Sequence, residues 1–280
     1  KKYGKPDIIH AHFTGSAYSA VKALKEYGIP IVMTEHSSAI NKEDIDPLDR
    51  KVAQYVYKNV DKIITVSPTL QKRINDVFQA DSTYIPNIVD LNIFSHKSIV
   101  NSYDKFLIVS VGNLISLKRM DRLLDGFSKF LQDHQNSELV IFGDGPERIR
   151  LQNQAKELNL KNKIIFKGKC PREQIADTLE SASCFILVSS SETFGVAYIE
   201  ALACGVPVIA TTCGGPEGFV HEENGILIPV DDEKALLEAM NTMYDKASTY
   251  DRAKIAAEIC EKFSPDCVAA QLEEIYRELI

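Results

Sequence analysis

Two glutamates, Glu192 and Glu200, flank Gly195 and have residue types and spacing that suit ligand binding. The apolar run Phe185–Val188 predicts a buried strand, and a helix is expected to begin near Phe194 or Gly195. Ligands of open α/β sheets bind at the carboxyl ends of strands, and a helix N-terminus offers free amides to a phosphate. With ~1.5 Å rise per residue, Glu200 lies about 8 Å along the helix from Gly195. One carboxylate is thus placed for a sugar beside the phosphates and the other for a ribose, since carboxylates accept hydrogen bonds from vicinal hydroxyls.

The same spacing has a purely structural interpretation. Glu192 is also typical of an acid that stabilises the dipole of the following helix, and Glu200 of a partly exposed helical residue. The spacing alone does not decide between the two interpretations.

Elements that position these residues are predicted by short apolar runs that alternate with helical patterns. Because the strands are apolar on both faces, they indicate parallel sheets covered by helices. The predicted strands are Asp7–Ala11, Ile31–Thr34, Lys62–Val66, Thr83–Ile85, Phe106–Val111, Leu139–Phe142, Ile164–Phe166, Phe185–Val188, Val206–Ala210 and Gly225–Ile228. The predicted helices include Ala17–Tyr27, Leu48–Lys58, Arg119–Leu131, Arg148–Leu158, Glu173–Ser181 and Val196–Cys204.

Pro86–Tyr103 interrupts this alternation and is interpreted as a linker between two α/β domains. The first domain shows about four strands where a doubly wound unit has about six. We therefore expect that domain to be incomplete, with sequence missing upstream of Lys1. A helix break is expected at Ser264–Pro265.

Composition narrows the class of protein. The chain is 45% hydrophobic and 25% charged, and its net charge of −7 argues against a nucleic-acid partner. Its six cysteines include no CxxC pair and lie mostly in apolar runs, which predicts buried, reduced thiols in a cytoplasmic protein. No run is long and apolar enough to span a bilayer, although peripheral contact with the inner membrane face remains open.

The segment from Glu192 to Glu200 resembles the E-x7-E signature of retaining glycosyltransferases of group 1 (family 4), which have the GT-B fold. The surrounding Ser-Glu-Thr-Phe-Gly and Glu-Ala-Leu-Ala-Cys-Gly-Val-Pro resemble the family as well. Further resemblances follow in the family's order and cover nearly the whole chain: Ile9–His12, Ile85–Asp90, Val111–Leu114 with Lys118, and Phe142–Pro146.

The resemblance implies an α/β protein of GT-B type, with two Rossmann-like domains facing a cleft and the first domain incomplete. Residues 1–95 would be the partial N-terminal acceptor-side domain, and residues 96–264 the C-terminal nucleotide-sugar-binding domain. Residues 265–280 would form a C-terminal helix that packs back on the N-terminal domain.

The resemblance also assigns roles on the donor side. Glu192 would bind hydroxyls of the donor sugar, Glu200 the ribose, and Lys118 the leaving phosphate, where a fixed cation offsets developing charge. Asn113 stands where many members have an arginine that binds the phosphates together with the lysine. Arg119, which follows Lys118, is the candidate to supply the missing positive charge. The remaining donor-binding residues would be Gly112, Gly143, Lys169, Cys170, Thr193, Phe194, Gly195 and Val196, with base recognition near Gly168–Cys170.

On the acceptor side, two histidines at positions i and i+2 point to the same side of a strand. By the resemblance, His12 contacts the donor sugar at the reaction centre and His10 is its buried support. Glu35 and His36, after the next strand, would face the acceptor. The catalytic residues expected are thus His12, Lys118 and Glu192.

In this family retention is explained without a protein nucleophile: the acceptor attacks from the side that the nucleotide leaves, and a phosphate oxygen helps to take its proton. The resemblance therefore implies no cofactor and no metal. The D-x-D of Asp44–Asp46 is a metal motif of another glycosyltransferase fold, but Asp46 before Pro47 better fits a helix N-cap.

The function expected is transfer from a UDP- or GDP-sugar to a sugar or lipid-linked acceptor, in cell-surface polysaccharide biosynthesis. Two alternatives stay open: another GT-B enzyme, such as a sugar-nucleotide epimerase, and a non-catalytic nucleotide-sugar-binding fragment. The donor base, the acceptor and the oligomeric state are not determined by the sequence.

Overall fold

The computed structural model describes residues 4–97 and 105–280, so Lys1–Tyr3 and the later part of the expected linker lie outside the described residues. Those residues group into two compact units. Unit 1 comprises the chain up to Ile88, together with Ser191–Phe194 and Pro265–Ile280. Unit 2 comprises Val89–Ser190 and Gly195–Ser264.

The described part of unit 1 holds a four-stranded parallel sheet in the order β1-β2-β3-β4. Its strands are β1 (Ile9–His12), β2 (Ile31–Glu35), β3 (Lys62–Thr65) and β4 (Thr83–Tyr84). Its helices are α1 (Phe13–Leu24), α2 (Pro47–Tyr57), α3 (Pro68–Phe78) and, at the end of the chain, α10 (Pro265–Leu279).

Local sequence explains how the helices of unit 1 begin. Asp46 caps α2, since its side chain accepts hydrogen bonds from the amides of Leu48 and Asp49 at 2.8 and 3.4 Å, and Pro47 takes the first helical position. The capping interpretation of Asp46 is thereby confirmed. By contrast, α1 begins at Phe13 rather than at Ala17, because the chain passes from β1 into the helix through Phe13 at φ 67° without a loop.

The core of unit 1 joins its sheet to α10. Val32, Ile64 and Ile85 form one buried cluster with Val268 and Ile275 of that helix. Pro265 begins α10 directly after the preceding helix ends at Phe263, so the expected break is confirmed.

The described part of unit 2 holds a six-stranded parallel sheet in the order β10-β9-β8-β5-β6-β7. Its strands are β5 (Phe106–Val111), β6 (Ser137–Phe142), β7 (Ile164–Gly168), β8 (Cys184–Leu187), β9 (Val208–Thr211) and β10 (Gly225–Ile228). Its helices are α4 (Met120–Phe130), α5 (Arg148–Glu157), α6 (Arg172–Glu180), α7 (Val196–Ala203), α8 (Glu233–Lys246) and α9 (Arg252–Phe263).

The centre of this second sheet is almost wholly apolar. Phe142, Phe185 and Tyr198 are fully buried, and the Tyr198 hydroxyl donates to the Leu187 carbonyl at 2.5 Å. That bond holds α7 against β8. Such a covering helix is expected where the strands of a parallel sheet are apolar on both faces.

The expectation of buried thiols holds only in part. All six cysteines are free, and Cys184 and Cys204 are buried, but Cys260 is exposed and the remaining three are partly exposed. Cys260 lies on the outer side of α9, so the sequence-based burial prediction for it is wrong. In residues 4–97 and 105–280 no helix is long and apolar enough to cross a membrane.

Candidate functional site

The strand order of unit 2 reverses between β5 and β8, which are neighbours although β6 and β7 lie between them in sequence. Such a switch point is where open α/β sheets bind ligands, beyond the carboxyl ends of the strands. The loops that follow these two strands are tied together: the Ser190 amide and hydroxyl donate to the Leu117 carbonyl at 2.8 and 3.3 Å. The loop that carries Lys118 and the loop that leads to α7 therefore lie side by side.

Helix α7 begins at this edge with Gly195 as its N-cap. Gly195 has φ 94° and ψ 62°, a left-handed conformation that side chains disfavour. Val196 is the first helical residue, which matches the start of the predicted helix Val196–Cys204. The Tyr198 amide donates to the carbonyl of the Gly195 N-cap at 3.0 Å. The backbone amides and the dipole at a helix N-terminus favour an anion there.

Glu200 lies one turn further along α7 and its side chain is only 12% exposed. Its carboxylate accepts a hydrogen bond from Arg172 Nη2 at 2.7 Å. Burial raises the pKa of Glu200, and the hydrogen bond and positive charge of Arg172 oppose that rise. The predicted ribose ligand is thus a desolvated carboxylate held by one cation.

Lys118 ends a short 3-10 turn, Ser116–Lys118, in the loop after β5. Its aliphatic stem lies beside Gly112, because a Cβ built on that glycine would be 3.7 Å from Lys118 Cγ and Cδ. Arg119, the candidate to compensate for the arginine missing at position 113, is already paired with acidic side chains. Its guanidinium forms ion pairs with Asp231 and, at 3.5 Å, with Asp121.

The ends of β5, β6 and β7 are joined by backbone hydrogen bonds. Gly112 donates to the Phe142 carbonyl at 3.1 Å, and Gly143 donates to the Gly168 carbonyl at 2.8 Å. Leu114 donates to the Asp144 carbonyl at 3.0 Å. The predicted donor residues of unit 2 consequently share one edge of its sheet: Gly112, Asn113, Lys118, Gly143, Lys169, Cys170, Gly195, Val196 and Glu200.

In unit 1, three histidines stack at the carboxyl ends of β1 and β2. The rings of His10 and His12 are stacked at 4.6 Å, which confirms that both point to one side of the strand. His12 Nδ1 and His36 Nε2 lie 3.0 Å apart. His10 is only half-buried, and its ring nitrogens bond to the hydroxyls of Tyr276 and Thr34 at 2.5 and 2.7 Å.

Burial, and next to it the charge of His12, lowers the pKa of His10 to about 4. Burial likewise lowers the pKa of His36 to about 4, with smaller contributions from His12 and His10. These two rings are therefore neutral near pH 7, and each has one nitrogen able to accept a proton or a hydrogen bond.

Glu35, which was expected to face the acceptor, is fully buried. Its carboxylate accepts the hydroxyls of Thr14 and Tyr57 and the amides of His36 and Ser37, the last three at 2.8, 3.0 and 2.9 Å. We therefore correct its assignment: a carboxylate with no exposed surface has no access to an acceptor, and Glu35 instead fixes the loop that carries His36.

Glu192, Thr193 and Phe194 group with unit 1. The Glu192 carbonyl accepts from the Asn41 side-chain amide at 2.9 Å, and the Thr193 hydroxyl donates to the His36 carbonyl at 3.1 Å. Glu192 and Phe194 are both buried. The first glutamate of the signature and His36 are thus anchored in one hydrogen-bonded group.

Sequence reasoning missed Arg172, Asn41, Tyr57 and Tyr276. Arg172 carried a detectable signal, because it is a cation in the first turn of α6, where the helix dipole disfavours positive charge. Such a residue indicates an acidic partner nearby, although the sequence does not identify Glu200 as that partner. Among the described residues, no group of three or more His, Cys, Asp or Glu side chains is arranged to hold a metal ion.

Comparison with solved structures shows the fold. Sucrose-phosphate synthase from Thermosynechococcus elongatus aligns with a TM-score of 0.87 and 25% identity, over 98% of this chain and 73% of that one. Anabaena HepE in complex with UDP aligns with a TM-score of 0.86 and 20% identity, over 97% and 79% of the two chains. Each unit with its parallel sheet is thus part of a GT-B fold.

Sequence comparison gives the family. N-acetyl-alpha-D-glucosaminyl L-malate synthase of Bacillus anthracis is 26% identical over 98% of this chain and 75% of its own length. The chain spans less than two thirds of several other curated relatives that it matches. Residues 1–93 match glycosyltransferase family 4, and residues 93–259 match the glycosyl transferases group 1. The chain therefore belongs to the group 1 glycosyltransferases.

Proposed function

We propose that this protein is a retaining glycosyltransferase that moves a sugar from a UDP- or GDP-sugar to a sugar or lipid-linked acceptor without a metal ion. One observation carries the proposal: the hydrogen bonds from Ser190 to the Leu117 carbonyl hold the Lys118 loop beside the segment leading to α7. A cation, a helix N-terminus and the Glu200 carboxylate thereby meet at the switch point of one sheet. The negative charge of a diphosphate is complementary to the cation and the helix N-terminus, and the hydroxyls of a ribose are complementary to the carboxylate.

On the donor side, the amides at the start of α7, from Phe194 to Val196, hold the diphosphate, and Lys118 stabilises the leaving phosphate. Lys118 suits this role because a fixed cation stabilises charge that develops as the glycosidic bond breaks. Glu200 accepts from the ribose hydroxyls, with the base near Gly168–Cys170. Asn113 contributes a hydrogen-bond donor in place of a second cation.

From unit 1 we assign His12 and Glu192 to the reacting sugar and His36 to the acceptor side. A neutral His36 supports this assignment, because it can accept a hydrogen bond from an acceptor hydroxyl at neutral pH. Glu35 supports the loop of His36 without touching substrate.

Retention follows from attack by the acceptor hydroxyl on the face that the nucleotide leaves, with a phosphate oxygen helping to take the proton. The protein then orients both substrates and stabilises charge, and neither Glu192 nor Glu200 acts as a nucleophile. Uridine is favoured as the base because a structural neighbour, HepE, is described in complex with UDP. The proposal extends to a role in cell-surface polysaccharide synthesis, and only the family resemblance supports that extension.

Donor turnover tests the proposal. The chain is incubated with UDP-glucose, UDP-N-acetylglucosamine or GDP-mannose in EDTA, and released nucleotide and the anomeric configuration of the free or transferred sugar are followed by NMR. We expect release with one donor, retention of configuration, and a loss of about a hundredfold or more in Lys118→Ala. Lys129→Ala is the matched control, because Lys129 lies on α4 in an exposed ion pair with Glu233.

Three outcomes would contradict the proposal. An inverted product would exclude the retaining mechanism, and activity that requires added Mg²⁺ or Mn²⁺ would exclude metal independence. An epimerised sugar nucleotide would instead support the epimerase alternative.

A further inference from the structure

We propose that Arg172 is a positioning residue for the nucleotide ribose: it holds the Glu200 carboxylate ionised and oriented to receive the ribose hydroxyls. This inference rests on the proposed function, since it presupposes that Glu200 meets the ribose. Arg172 is not itself assigned to contact the nucleotide.

The geometry of the pair supports a built contact rather than a chance surface ion pair. Arg172 Nη2 lies 2.7 Å from Glu200 Oε1, and the Glu200 side chain is 12% exposed. Glu200 therefore has little water to stabilise its charge, and desolvation favours its neutral form. A carboxylate has about four acceptor positions, so one bond to Arg172 leaves acceptor capacity for two vicinal hydroxyls.

Arg172 also contacts an aromatic ring and a second carboxylate. Its guanidinium carbon lies 5.1 Å from the ring centroid of Phe94, which is fully buried, and Nη1 lies 4.0 Å from Asp90 Oδ2. Asp90 is in turn held by the amide of Asn92, which donates to Oδ1 at 3.1 Å. A planar guanidinium that contacts an aromatic ring and two carboxylates is restricted in its orientation, and lysine does not reproduce that arrangement.

The position of Arg172 in its helix also supports a specific contact with Glu200. Arg172 is the first residue of α6, where the helix dipole opposes a cation, so its placement there needs an acidic partner to offset the cost. Glu200 is paired with Arg172, which also lies 4.0 Å from Asp90. Glu180, Arg252 and Lys97 act together with Glu200 on the neighbouring Cys204. Cys204, one turn further along α7, is a neutral thiol whose pKa burial raises to about 12.

Removing Arg172 leaves a desolvated carboxylate without its cation, so the pKa of Glu200 rises further. Protonated Glu200 offers fewer acceptor positions to the ribose, and it becomes more populated as the pH falls. The consequence is a loss of nucleotide affinity that is larger at acidic pH and depends on the ribose hydroxyls.

The test uses calorimetric titration of the full chain with UDP and with 2′,3′-dideoxy-UDP, at pH 6 and pH 8. We expect Arg172→Ala to weaken UDP about tenfold at pH 8 and more at pH 6, and to change dideoxy-UDP little. Arg172→Lys should show the same pH dependence as wild type but only part of its affinity. Arg150→Ala, which removes an exposed arginine paired with Glu147, is the matched control and should bind like the parent.

Arg172→Gln provides a second neutral variant in case Arg172→Ala unfolds, and thermal melting without ligand checks both. One outcome overturns the inference: wild type prefers UDP over dideoxy-UDP, Glu200→Gln loses that preference, and yet Arg172→Ala and Arg172→Gln bind UDP as tightly as wild type does. It is also overturned if they lose both ligands equally with no pH dependence. If wild type binds UDP but Glu200→Gln does not alter its preference over dideoxy-UDP, the assignment of Glu200 in the proposed function fails, and this inference with it.

Discussion

Tyr57 donates its phenolic hydroxyl to the carboxylate of Glu35 over 2.8 Å, inside the core of unit 1. Burial and the adjacent Glu35 raise the pKa of Tyr57, so the hydroxyl keeps its proton and remains a donor. The same carboxylate orders the first residues after β2, where His36 begins the loop. A buried acid and a buried phenol thus set the position of a partly exposed loop.

Replacement of Glu35 by glutamine should destabilise the fold by about 1.5–3 kcal/mol, because the new amide presents hydrogens to groups that are themselves donors. Tyr57→Phe removes one of those donors and should cost about 1 kcal/mol. Urea unfolding of both variants measures the difference. Equal stability of Glu35→Gln and wild type would contradict the described role of Glu35.

The stacked histidines predict a pH dependence of stability. His10 and His36 have pKa values near 4 in the fold, below the ordinary value of 6.5, so the unfolded chain binds protons that the folded chain does not. Stability should therefore fall as the pH drops from about 6.5 towards 4, and this contribution should level off below that range.

Thermal melting between pH 7 and pH 5 tests this dependence. A variant with His10→Asn and His36→Asn should lose fewer degrees over that interval than the parent, whatever its melting temperature at pH 7. Parallel profiles for the two proteins would show that these histidines are not the source of the slope.

Gly143 is predicted to be intolerant of any side chain. Its φ is 120°, and a Cβ built on it would lie 1.9 Å from the Gly112 carbonyl oxygen, so the loop after β5 would have to move. Gly143→Ala should cost about 2 kcal/mol or more and weaken nucleotide binding.

Gly112→Ala is the matched control for stability, because the nearest atom to its added Cβ would be 3.6 Å away. It should change the free energy of unfolding by less than about 1 kcal/mol. Similar losses in the two alanine variants would show that close approach of the two loops is not the cause.

Much of unit 2 followed from sequence periodicity. The bounds of β5 and β10 match the prediction because polar or glycine-containing segments border each apolar run. β9 begins at Val208 rather than Val206, since Pro207 has no amide hydrogen to give to the sheet. The pattern of Ala17–Tyr27 did not reveal the early start of α1, because a left-handed Phe13 has no sequence signal.

The site was less predictable than the fold. Strand ends, a glycine at a helix start and paired acids identified the edge that carries Lys118 and Glu200. Arg172 and Glu200 are 28 residues apart in sequence, so no local pattern couples them. The sequence likewise did not predict the burial of Glu35, because its partners Thr14 and Tyr57 come from two different helices.

Nucleotide binding at the switch point is the central claim, and thermal unfolding of the full chain with UDP, GDP and ADP in EDTA tests it most directly. At about 100 times its dissociation constant, one nucleotide should add about 2.7 kcal/mol and raise the melting temperature by roughly 5–10 °C. Glu200→Gln should remove most of that rise at the same concentration. No shift with any of the three nucleotides, or an undiminished shift in Glu200→Gln, would contradict the claim.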